Sequence, residues 1–149
     1  MKGWVYKPKT DAELRKWVSG KKSQEKKKNG EVTSPFFLNP EDFVKWHNAQ
    51  KKECYYCGLS EEDCQTIVCA EIGGITSNRF PEKGNRKRGR GRGYWLEVDK
   101  KAPKGDYNED NSVLACYFCN NDKSDVFTAK QYKQFRENRQ PFLTSLING

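Results

Sequence analysis

An α+β fold is predicted by three features of this chain. Two Cys-x-x-Cys pairs are separated by 58 residues, two short strand-like runs precede the second pair, and helix-capping signals flank both pairs. Only 34% of the 149 residues are hydrophobic, so the core is thin. A chain of this kind commonly uses a staple such as a metal.

The N-terminal 30 residues hold ten Lys/Arg and three Asp/Glu. Leu14, Trp17 and Val18 stand at helical spacing, which predicts a short helix from Asp11 to Gly20. Lys21 to Gly30 is a charge run ending in Asn29-Gly30, a turn signal, and reads as a mobile basic connector or a solvated loop. Residues 1–30 are therefore taken as a basic arm and 31–149 as the folded domain.

Asn39-Pro40-Glu41-Asp42 predicts a helix start: a capping Asn, Pro in the first turn, and acids against the helix dipole. That helix is expected to run to about Gln50, with Phe43, Val44 and Trp46 on its apolar face and His47 one turn after Phe43. The first cysteine pair, Cys54-Tyr55-Tyr56-Cys57-Gly58, follows as a metal knuckle, and residues 60–80 give no clear pattern. Lys83 to Gly93 contains six basic residues, four glycines and no acid. Glycine keeps such a segment flexible, and Arg suits phosphates and guanine edges. Arg86, Lys87, Arg88, Arg90 and Arg92 are thus candidates for nucleic-acid contact, against the alternative of a disordered surface loop. Tyr94–Asp99 and Ser112–Ala115 have strand character. Cys116-Tyr117-Phe118-Cys119-Asn120 opens a helix, and Thr128 caps a last helix containing Tyr132 and Phe135.

A tetrahedral zinc takes four soft ligands, and Cys54, Cys57, Cys116 and Cys119 supply them. Four buried cysteines or a redox pair are the alternatives. A four-thiolate site is closed, so this zinc is structural and not the catalyst. Cys64 and Cys69 lack knuckle spacing and are read as free thiols. The start of the chain shows no apolar leader and no uncharged run reaches membrane-spanning length. The expectation is a cytoplasmic protein with reduced thiols and no membrane contact. A net charge of +8 points to a polyanionic partner.

The stretch YWLEVDKKAPKGDYNEDNSVLACYFCNNDKSD resembles the HNH nuclease motif: a strand ending in Asp-His, a Pro, a central Asn, and Cys-x-x-Cys-Asn-x-x-Lys opening a helix. Asp99, Pro103, Asn111, Asn120 and Lys123 fall on those positions. Lys100 stands where the motif carries its histidine base. From about Phe36 to Phe127 the chain is similar to the small rare-cutting HNH restriction endonucleases of the Pac type, which also carry a basic residue there. Their aromatic substitute base falls, by the Phe43–Trp46 pattern, on His47, the single histidine.

The resemblance implies a zinc-stabilised ββα-metal (HNH/His-Me finger) core with flanking helices. It implies metal-dependent hydrolysis of double-stranded DNA, with Mg²⁺ or Mn²⁺ on Asp99 and Asn120, and 5′-phosphate and 3′-hydroxyl products. His47 would be the base, Lys100 would stabilise phosphate charge, and Asn111 would order the loop between the strands more than touch substrate. Tyr94 and Tyr107 are reserve bases. Double-strand cutting at a specific site would use a homodimer. The rivals are a monomeric nicking or homing-type enzyme and a zinc DNA-binding protein with a decayed site.

Overall fold

The computed structural model of the protein describes residues 5–81, 91–137 and 139–149. Helix α1 spans Asp11–Asn29, nine residues beyond the expected stop at Gly20. Lys21–Asn29 is therefore helical and not a connector. Its Lys, Glu and Gln residues are good helix formers, and the Asn-Gly turn signal is the helix end: Gly30 adopts φ 81° and returns its N–H to Lys26. Thr10 and Glu13 form a capping box at the other end.

The short α2 (Pro35–Leu38) and α3 (Pro40–Ala49) follow. The expected Asn39 cap is made differently. Its side chain makes no capping bond, because its backbone already closes α2 through an N–H to Pro35 while opening α3. Leu14 and Val18 of α1 are buried with Phe36, Phe37, Phe43 and Val44, so the basic helix shares the main core. Trp17 stacks on Phe43 at 4.8 Å and meets Phe37 and Tyr107 edge-on.

Helix α4 (Glu61–Cys69) occupies the segment without a sequence pattern; Ser60 caps it and three acids fill its first turn. Glu61 is buried and accepts bonds from the Tyr6 hydroxyl and the Leu96 N–H, fixing the approach to the sheet. Cys64 and Cys69 are disulfide-free and buried on this helix, as packing groups.

The sheet is one antiparallel hairpin. Strand β1 is Glu97–Lys100, shorter at its start than the expected Tyr94–Asp99, and β2 is Ser112–Ala115. Asp99 pairs with Val113 and Glu97 with Ala115. Tyr94 and Trp95 instead pack with Val68, Cys69, Phe80 and Tyr117 in a second cluster. Helix α5 (Tyr117–Lys123) follows β2 directly, and Thr128 caps α6 (Ala129–Phe135) with a capping box. This is not the last helix: α7 (Arg139–Asn148) follows and packs against α4. No helix among the described residues is long and apolar enough to cross a membrane.

Candidate active site

Four thiols hold the hairpin in place. The Sγ atoms of Cys54, Cys57, Cys116 and Cys119 all lie within 4.8 Å of one another, and all four residues are buried. Hydrogen bonds from Cys116, Cys119 and Cys57 pull the Cys54 thiol far below its usual range. Four buried thiols this close together are suited to a soft divalent ion. Cys116 is also the N-cap of α5, its sulfur accepting from the Cys119 N–H. The first knuckle is tied to β2 by the Tyr55 N–H to the Leu114 carbonyl. The thiol cluster therefore fixes three things together: the knuckle, the end of β2 and the start of α5.

Alternation along β1 puts Glu97 and Asp99 on one face. Helix α5 presents Asn120 and Lys123, three residues apart, to that face. The Asn120 Nδ2 donates to Glu97 Oε1 at 2.9 Å, and Lys123 Nζ lies 3.3 Å from both Asp99 oxygens. The Tyr56 hydroxyl donates to Asp99 Oδ2, and Lys123 also donates to the Lys100 carbonyl. Burial nevertheless lifts the Asp99 carboxyl above its usual range, with Tyr56 and Lys123 opposing. A buried carboxylate in that balance gains from a further cation.

The donor chemistry of Asp99 and Asn120 fits a hard divalent ion. Asp99 offers carboxylate oxygen, and because the Asn120 amide nitrogen is engaged by Glu97, its oxygen is the atom left to ligate. Sequence reading did not assign roles to Glu97, Tyr56 or Lys123. Glu97 was legible as the residue two before Asp99 on the same strand face; Tyr56 carried no signal beyond its place inside a metal knuckle.

Other candidates are placed differently. Asn111 orders the loop between the strands: its amide accepts from the Ala102 N–H and donates to the Ala102 and Asp106 carbonyls. A Cβ on Gly105 would sit 2.7 Å from the Asn111 Nδ2, so the loop closes tightly around it. Lys100 Nζ lies 4.9 Å from the Tyr107 ring centroid, and Tyr94 is buried in the second cluster. Arg92 is pinned to Glu97 by two N–H bonds of 2.9 and 2.6 Å and stacks over Tyr117. Arg86, Lys87, Arg88 and Arg90 lie outside the described residues.

His47 is corrected. It is 2% exposed, its ring packs with Phe43 and Trp46, and its Nδ1 has no hydrogen-bond partner. Burial, reinforced by Lys52 and Lys9 and opposed by Asp11, lowers its pKa to about 3. The ring therefore packs as part of the apolar face of α3, with burial favouring its neutral form. Its folded pKa lies below its unfolded value near 6.5, so its neutral form stabilises the fold fully above pH ~6.5. That stability is lost as pH falls toward 3, by about 1.4 kcal/mol per pH unit. In urea unfolding between pH 7 and 5, His47→Phe is expected to show that much less acid sensitivity while keeping DNA cleavage within a few-fold. Equal acid sensitivity in the two proteins would contradict the burial.

A solved structure of the rare-cutting HNH restriction endonuclease PacI is similar to this chain. The TM-score is 0.57 at 22% identity, over 85% of this chain and 77% of that one. That enzyme is described as exhibiting an extraordinary mechanism of DNA perturbation. No family model matches the chain, and no curated protein matches it by sequence. The helix-flanked hairpin, the four clustered cysteines and this structural likeness together give the chain the ββα-metal fold of an HNH endonuclease.

Proposed function

We propose that the protein is a divalent-metal-dependent DNA endonuclease with one structural zinc per chain, acting as a homodimer that cuts both strands at a specific site. The observation that carries this reading is the junction of β1 and α5, where Lys123 binds Asp99 and Asn120 binds Glu97 on the same strand face. Asp99 and Asn120 both offer hard oxygen; Lys123 lies against Asp99, and Arg92 lies against the Glu97 that holds Asn120. Binding alone would need the cations but not the buried Asp99 carboxylate.

Asp99 and Asn120 would hold Mg²⁺ or Mn²⁺. When bound, such an ion would supply Lewis-acid stabilisation of the phosphodiester and lower the pKa of water. Glu97 fixes the Asn120 amide, and Tyr56 and Lys123 fix the Asp99 carboxylate, as outer groups do around metal ligands. Lys100 would lie against the phosphate and offset charge growing on its oxygens. The products would carry 5′-phosphate and 3′-hydroxyl ends.

The site specificity is tested by incubating genomic DNA with the protein and Mg²⁺ and sequencing every end. Paired ends at one palindromic sequence support the dimeric cutter. Unpaired nicks favour a monomeric nicking or homing-type enzyme, and intact DNA that is still bound favours a decayed binding protein.

Arg86, Arg88 and Arg90 would bind phosphates from the basic segment. Replacing all three by alanine is expected to flatten the dependence of log affinity on log salt by ~0.9 for each duplex phosphate no longer neutralised. Arg92 is excluded from that set because Glu97 holds it. An unchanged slope in fluorescence anisotropy would remove this segment from the interface.

A further inference from the structure

Helix α1 reaches the site. Trp17 and Tyr107 meet edge-to-face with centroids 5.7 Å apart. Each carries an ammonium: Lys21 Nζ lies 5.9 Å from the Trp17 centroid and Lys100 Nζ 4.9 Å from the Tyr107 centroid. Both lysines are partly exposed. The ring faces hold the two ammonium groups, and no described carboxylate is ion-paired with either one.

Charge relations place Lys21 within the field of the hairpin. Burial lowers its pKa; Glu97 opposes this, and Arg92 and Lys100 reinforce it. Lys21 comes from α1, Arg92 from the segment before β1 and Lys100 from β1 itself, and the charges of Arg92 and Lys100 bear on Lys21. Glu97 is already committed to Arg92 and Asn120. Cations that raise one another's cost are relieved by an anion, and a phosphodiester is the anion of the proposed substrate.

We infer that Lys21 and Lys100 together form a phosphate-binding pair between α1 and the end of β1, which receives a backbone phosphate of the DNA at the cleavage site. This rests on the nuclease reading and adds α1 to the active site. The other lysines late in α1, such as Lys27 and Lys28, are exposed and would bind DNA only diffusely.

Inorganic phosphate is the first probe, titrated into the full-length protein without Mg²⁺ while the side-chain resonances of isotopically labelled lysine are followed. Lys21 and Lys100 are expected to shift together along one saturating curve, with chloride at equal ionic strength without effect. Lys100→Met is expected to weaken the affinity read at Lys21 by about tenfold. A non-saturating shift, or one equalled at Lys27, overturns the pair. In cleavage, Lys21→Met is expected to lower turnover at saturating DNA by ~10²-fold, with DNA affinity and melting temperature retained. Lys21→Arg should restore most of the rate and Lys27→Met should leave it unchanged. Wild-type turnover by Lys21→Met, or no rescue by Lys21→Arg, also overturns it. A wild-type protein that cuts no DNA sinks the nuclease reading instead, and the phosphate titration then decides the pair by itself.

Discussion

Serine at Cys54, Cys57, Cys116 or Cys119 is expected to unfold the protein and not merely to slow it. The four Sγ atoms converge within 4.8 Å at the junction of the first knuckle, β2 and α5. Without an ion, a buried thiolate cluster repels itself; with one, a structural zinc site contributes ~10–16 kcal/mol in small metal domains. That exceeds the net stability of a typical domain. The sheet consists of a single four-residue hairpin, which is marginal without support. Each serine variant should lose cooperative unfolding in circular dichroism, and the wild type should contain one zinc per chain by metal analysis. A folded, cooperative wild type free of zinc would refute the clamp.

Asp99→Ala and Asn120→Ala are expected to remove cleavage by about 10²–10³-fold or more, with DNA binding kept. The two substitutions differ in their structural cost. Asn120→Ala removes one bond to Glu97, whose bidentate pair with Arg92 remains. Asp99→Ala leaves the fully buried Lys123 without its carboxylate, retaining only the Lys100 carbonyl as a partner. An unpaired buried cation is destabilising. Asp99→Asn is therefore the cleaner variant, because its amide oxygen can still accept from Lys123. Either variant cutting at the wild-type rate would remove that residue from the metal site.

The parts of the fold that were legible in the sequence are those specified by local chemistry. Cysteine spacing marked the clamp, and the apolar run Ser112–Ala115 matched β2 residue for residue. Capping at Thr128 and the Pro40 start also located their helices. Where the reading failed, tertiary context decided. Lys21–Gly30 looked like a connector because charge runs often are, yet Leu14, Trp17 and Val18 anchor its helix to α2 and α3. Helix α4 was missed although Ser60, Asp63 and the spacing of Cys64, Ile67 and Val68 carried its pattern; treating Cys64 as a free thiol hid an apolar position.

His47 shows how a local signal outweighed an analogy. Its position one turn after Phe43 put it on the apolar face of α3, and that face is where it lies. Asp99, Asn120 and Lys123 were found by motif, but Glu97 and Tyr56, which hold Asn120 and Asp99, were not. Tyr56 reaches Asp99 across 43 residues of sequence, and no spacing rule spans such a distance.

The central claim is that a divalent ion at Asp99 and Asn120 makes this protein a DNA endonuclease. It is tested most directly by incubating the wild-type protein with long genomic DNA, with Mg²⁺ added and with divalent ions omitted. Fragmentation is expected only with Mg²⁺ or Mn²⁺, from protein whose zinc content is the same in both reactions. Equal fragmentation without added metal, or none with either metal from folded protein that binds the DNA, would contradict it.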